Sequence, residues 1–317
     1  MRSLLIGAVV FLLLCPAQTN AQTSTGSVQM IAALQAQLEA LRAQLSALNE
    51  GNKEEAAEEE WTFNYSKSSL KLGAGKEDET YAEKDSTKRF VVRNNRLYEN
   101  GKWTDNRDTD EYRMWNVFAQ IAGDSFVDAY ITRYATYRIA DTGVLGFVRL
   151  LDDKEPSWGL AVNANASNFS SNKWTRDLVA VLIHEYAHVL TLNGDQVNHK
   201  KKKQTVCEGN YLSNKGCAEN KSYLNAYVAE FWGKEDFSRK TPAKKKYFTE
   251  HPNEFVTEYA LKNPEEDIAE SFTQFILDAK PTGDIKKDLK VLFFYDYPEL
   301  VEMRTRIREE IGQYYVN

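Results

Sequence analysis

Over residues 177–192 the apolar side chains Leu178, Val179, Val181, Leu182, Ile183, Val189 and Leu190 cover most of the circumference of a 3.6-residue helix. The segment therefore reads as a buried helix, broken at Asn193-Gly194. Upstream the period changes. Residues 90–92 and 96–98 are strand-like, and Asn100-Gly101 signals a hairpin turn. Met114, Val117, Phe118 and Ile121 fall on one side of a helix over residues 112–121. Three further strands follow at residues 134–139, 144–151 and 158–163, joined by turns at 141–143 and 152–156. Beyond the break, helices are expected at residues 222–232, 254–261, 264–279 and 298–312. The pattern is that of an α+β protein: a small sheet, then a helix-rich C-terminal half.

The first 60 residues differ from the rest. Arg2 precedes an apolar run over residues 4–14, and the small Ala21 follows as a cleavage point, so residues 1–21 read as an export signal. The run is too short to span a bilayer, which takes about 20 residues. Ile31, Leu34, Leu38, Leu41, Leu45 and Leu48 alternate steps of three and four, the a/d repeat of a coiled coil. It is short, suited to weak self-association or to a spacer at the cell surface. Residues 49–60 carry six Glu and no large apolar side chain, which makes them an acidic linker. These stretches divide the chain into a signal (1–21), a coiled coil with linker (22–60) and a folded domain (61–317).

A formal charge of -6 gives no electrostatic basis for nucleic-acid binding. The lysine clusters at 200–203 and 244–246 are short, lack interleaved aromatics and read as solvated loops. Past the signal only two cysteines remain, Cys207 and Cys217, close together in a polar, glycine-containing stretch. In the oxidising compartment that export implies, they are expected to form one disulfide. Asn-x-Ser sequons at Asn64, Asn165, Asn168 and Asn220 matter only in a eukaryotic secretory pathway.

Chemistry enters with the polar side chains of the buried helix. His184 and His188 lie four apart on one face with Glu185 beside them, in the run His184-Glu185-Tyr186-Ala187-His188. Burying such groups is costly unless something satisfies them, and a Zn²⁺ ion bound by both imidazoles does so. His-Glu-x-x-His on a helix is the zincin signature, in which the Glu takes a proton from water activated by the metal. A catalytic zinc wants a third protein ligand. The metzincin pattern, with Gly three and His six residues after the second His, fails on Thr191 and Gly194. The better region is the helix that Asn263 and Pro264 open, where Glu266 and Glu270 share a face. One carboxylate there can bind zinc while the other holds a ligating histidine by its second ring nitrogen. The sequence leaves the choice between them open, since Asn263-x-x-Glu266 is also close to a capping box.

These residues resemble the gluzincins, whose third ligand is a Glu on a later helix, and most nearly the anthrax lethal factor type. In that motif a Tyr stands seven residues before the ligand and an Ala-Glu pair ends four residues after it, as Tyr259, Glu266 and Ala269-Glu270 do here. The resemblance implies a zincin-like fold and one catalytic Zn²⁺ held by His184, His188 and Glu266. It further implies Glu270 supporting a histidine, Glu185 as base and Tyr259 assisting an oxyanion. About 77 residues separate His188 from Glu266, more than in those families, so the lysine and cysteine region looks like an insertion. Residues 158–166 resemble the edge strand that zincins lay beside an extended peptide. The function implied is a secreted endopeptidase acting on peptides or proteins. The rivals are a non-catalytic zinc-binding scaffold of the cell envelope and a zinc amidase acting on cell-wall peptides.

Overall fold

Asparagine and glycine supply left-handed backbone at the first two turns of the described chain. The computed structural model describes residues 86–138, 145–152, 156–166, 172–233 and 241–314. The expected signal, the heptads, the acidic linker, the turn at 141–143 and the sequons at Asn64 and Asn168 lie outside these residues. Strands β1 (Ser86–Arg93), β2 (Arg96–Glu99) and β3 (Lys102–Thr104) form an antiparallel meander. Both of its turns have two residues at positive φ, 49° and 51° at Asn94 and Asn95, then 50° and 78° at Asn100 and Gly101. Such turns match the right-handed twist of the strands they join. The hairpin at Asn100-Gly101 is thus present, and it leads into a short third strand that periodicity did not register.

Helix α1 (Asp110–Ala122) starts where Thr109 accepts the Tyr112 N–H and buries Met114, Trp115, Val117, Phe118 and Ile121. A short α2 (Asp124–Tyr130) turns the chain into β4 (Ile131–Tyr137), followed by β5 (Gly146–Asp152) and β6 (Ser157–Asn163). The sheet order is β3-β2-β1-β4-β6-β5, with β4 and β6 parallel and every other pair antiparallel. This corrects one expectation. The strand over 158–163 is interior, because β5 hairpins back outside it, and the edge beside the helices is β5. Burial agrees, with β6 enclosed from Leu160 to Asn163 while β5 runs out to exposed Leu151 and Asp152.

The long helix α3 (Asn172–Leu192) packs against α1 and β5. Every side chain from Leu178 to Ala187 is buried, which accounts for its nearly all-round apolar sequence. A two-stranded ribbon, β7 (Val197–Asn198) with β8 (Cys217–Ala218), closes the next loop, and Cys207 is disulfide-bonded to Cys217. Then come α4 (Tyr223–Phe231), α5 (Thr241–Glu250), a 3₁₀ turn (Tyr259–Lys262), α6 (Pro264–Leu277), α7 (Lys286–Leu292) and α8 (Pro298–Ile311). Two further expectations are corrected here. Lys244, Lys245 and Lys246 sit on helix α5 rather than in a loop, and residues 254–261 form no α-helix. Only a single 3₁₀ turn forms there, and Thr257 stands at its start, its hydroxyl accepting the Ala260 N–H at 3.1 Å. Helix α6 lies against α3 through a core containing Tyr186, Phe272 and Phe275. The whole is α+β, with α1 and α2 between the third and fourth strands of the sheet and the other helices after it.

Candidate metal centre

One helical turn separates His184 from His188 on α3, and their rings meet nearly edge-on at an interplanar angle of 86°. Their Nε2 atoms stand 3.0 Å apart. From α6, Glu266 Oε2 approaches to 3.2 Å from His184 Nε2 and 3.1 Å from His188 Nε2. Ligands on a tetrahedral zinc at about 2.0–2.1 Å stand roughly 3.3–3.4 Å from one another. The three donor atoms are within a few tenths of an ångström of that triangle, so the residues fit the ion. Among the described residues, these three form the cluster able to hold a metal.

The N-terminus of α6 explains how Glu266 arrives there. Asn263 Oδ1 accepts the Glu266 N–H at 2.8 Å, so the capping interaction uses its backbone and leaves the carboxylate to face the histidines. Its neighbour Asp267 is fully buried and locked to Lys290 Nζ at 2.6 Å and Trp232 Nε1 at 2.8 Å, fixing the rotation of that first turn. The second carboxylate oxygen, Glu266 Oε1, accepts from Tyr259 OH at 3.1 Å and Lys262 Nζ at 2.8 Å. Burial alone would raise this carboxyl, but His188, His184 and Lys262 hold it well below the usual range.

Glu270, a turn further on and fully buried, occupies a different position. Its Oε1 lies 2.8 Å from His184 Nδ1, the ring nitrogen facing away from the triangle, and its Oε2 accepts from Thr257 Oγ1 at 2.6 Å. Burial pulls the His184 imidazole down, yet the carboxylates of Glu266 and Glu270 outweigh it and push it up to about 10. Such a ring, flanked by carboxylates on both nitrogens, is what a divalent cation relieves.

Glu185 points to the sheet side, where its Oε2 accepts the N–H of Val148 on edge strand β5 at 2.9 Å. Burial pushes its carboxyl above the ordinary range, with His184 and His188 pulling the other way. Tyr259 OH is held by Glu266 and Lys262, and burial, then Glu266 and Glu185, push that phenol far up.

All six residues singled out on the two helices and the turn are brought together: His184, Glu185, His188, Tyr259, Glu266 and Glu270. Sequence reasoning missed three participants, Thr257, Lys262 and the Val148 backbone. None carried a signal, since Lys262 stands four residues before Glu266 but outside the helix that Asn263 caps. The disulfide loop touches the same region through Tyr211, whose OH donates to Glu265 Oε2 at 3.0 Å beside Glu266.

These features define an α+β protein with a metal-competent centre of two histidines and one glutamate, backed by two further carboxylates. No family model matches the chain, and no curated protein matches it either. A crystal structure of a candidate zinc-binding metallo-peptidase from Bacteroides caccae aligns with 63% of this chain and 72% of its own, at 19% identity and a TM-score of 0.32. A likeness that loose carries no argument about fold or activity.

Proposed function

We propose that the chain is an exported, zinc-dependent endopeptidase of gluzincin type, with a zincin-like domain over residues 61–317, a signal at 1–21 and a spacer at 22–60. The observation that carries this reading is the pairing of the donor triangle with an unliganded, buried Glu185 beside it. A purely structural zinc site has no use for such a carboxylate. The disulfide suits an oxidising compartment, and among the described residues no helix is long and apolar enough to cross a membrane.

His184, His188 and Glu266 would hold the ion. When bound, it supplies Lewis-acid polarisation of a scissile carbonyl and lowers the pKa of a water. Glu185 is the group that would take a proton from a water at the site and deliver it to the leaving amine nitrogen. With Oε2 fixed by the Val148 N–H, the proton moves on Oε1. Tyr259, its phenol kept protonated by burial, would turn its one O–H from Glu266 Oε1 to the developing oxyanion. Beyond Val148, whose N–H is held by Glu185, the outer edge of β5 would receive an extended peptide through backbone hydrogen bonds, the task first read into residues 158–166.

The test is Glu185→Gln in the full chain. It should retain about one zinc per chain, since all three ligands are untouched, while casein or peptide-library cleavage falls by about 10²–10⁴. Undiminished cleavage would remove Glu185 from the mechanism. A zinc-loaded wild type that cleaves no peptide would instead favour the scaffold reading.

A further inference from the structure

The two oxygens of Glu266 have been given separate partners. Oε2 faces the two imidazoles, while Oε1 is engaged by Tyr259 OH at 3.1 Å and Lys262 Nζ at 2.8 Å. A carboxylate left to itself beside a divalent cation can swing its second oxygen in and chelate. Here Oε1 would have to shed a phenol and an ammonium to do so, and a hydrogen bond between ions is the stronger kind. Lys262 is not an ordinary helical i,i+4 partner of Glu266. The backbone between them is extended at Asn263, with φ -169° and ψ 171°, so the pair ties the Tyr259–Lys262 turn to the first turn of α6. Its ammonium also bonds Tyr259 OH at 2.7 Å and lies 4.8 Å from the ring centroid, so lysine, phenol and carboxylate form a closed triangle.

Building on the zinc reading above, we infer that Lys262 is a positioning residue that makes Glu266 a one-oxygen ligand, so that its second oxygen leaves a coordination position free. The same ammonium holds Tyr259, whose ring lies 6.0 Å from that of His184. On the other side Thr257 binds both the Ala260 N–H and Glu270 Oε2. The turn that carries Tyr259 is thereby fastened to the carboxylates on either side of His184, and Lys262 is its charged fastening.

The experiment uses Co²⁺ in place of Zn²⁺ in the full chain, because the intensity of its visible bands falls as the coordination number rises. Wild type and Lys262→Arg should give the same intense spectrum. Lys262→Met should bind one Co²⁺ yet lose about half or more of the band intensity, as a fifth donor joins a four-coordinate site. A merely structural lysine would leave the spectrum of the bound metal unmoved. Superimposable spectra for wild type and Lys262→Met therefore overturn the inference while the metal site stands. Should Lys262→Met fail to fold by circular dichroism, Lys262→Gln, neutral and of similar reach, is read by the same criterion. If the wild type takes up neither Co²⁺ nor Zn²⁺, the zinc reading itself fails and this inference with it.

Discussion

Glu266 and Glu270 are one turn apart on the same helix, both buried and both against His184, and they differ in which ring nitrogen they meet. Glu266 shares the Nε2 side with His188, whereas Glu270 stands behind, on Nδ1. Removing them should therefore have unequal effects. Glu266→Ala is expected to lose stoichiometric zinc, while Glu270→Ala keeps one zinc bound about 10- to 100-fold more weakly, as loss of a supporting partner does. Metal analysis after dialysis decides it, and an empty Glu270→Ala beside a fully loaded Glu266→Ala would exchange their roles. His184 adds a pH dependence. In the metal-free chain its ring is pushed up to about 10, so at neutral pH it carries a proton that a metal must displace. Apparent zinc affinity should then rise about tenfold per pH unit between about pH 6.5 and 8, and fall in acid. Chelator competition across that range measures it, and a plateau above pH 7 would mean that the ring is already neutral. At this scale the sequence disclosed the two histidines, because a pair of imidazoles four apart in an apolar helix has to be satisfied, and one metal ion satisfies both. The residues alone left Glu266 and Glu270 open, and only the resemblance ranked Glu266 first, because the choice depends on side-chain direction across two helices. Thr257 stayed hidden for a related reason: its hydroxyl matters only once the 3₁₀ turn lays it on Glu270.

The elements that carry these residues were legible where one period ran long enough. Helix α3 was visible from its apolar circumference, and α6 from its Asn-Pro opening. Strand order was another matter. Alternation marks a strand without saying what pairs with it, and the edge position passed from β6 to β5 because of the parallel β4–β6 pairing. That exchange has a chemical consequence, since the edge strand supplies the N–H that orients Glu185. The Val148 N–H points to Glu185 and not into the β5–β6 ladder, so proline can replace valine there without removing a sheet hydrogen bond. Val148→Pro should keep its zinc and fold while peptide cleavage drops about 10- to 100-fold, the worth of one hydrogen bond to a charged group. A variant as active as wild type would show that Glu185 is oriented without the strand. Helix α5 and the turn after it were misread together. Three lysines gave α5 no apolar face to detect, while Phe255, Val256 and Leu261 lent residues 254–261 a helical look where only the turn Tyr259–Lys262 forms.

At the level of the molecule the α+β order followed directly from where period two gives way to period 3.6. The disulfide followed from cysteine count and compartment. What it does for the protein follows from its place. Cys207 and Cys217 close a loop of 10 residues' separation between the ribbon strands, and Tyr211 inside that loop reaches Glu265 at the start of α6. No zinc-ligand candidate lies within the loop, so its covalent closure bears on stability before chemistry. Closing a loop of this length is worth about 2–3 kcal/mol. The Cys207→Ala/Cys217→Ala double variant should melt roughly 5–10 °C lower while binding one zinc per chain. Scanning calorimetry with metal analysis reads both quantities. Zinc lost together with stability would place the loop among the supports of the centre, acting through Tyr211 and Glu265. That outcome can be isolated with Tyr211→Phe, which deletes the contact and leaves the disulfide closed. If the loop is only a clamp, Tyr211→Phe binds zinc as the wild type does, and the segment between α3 and α6 serves the fold and not the metal.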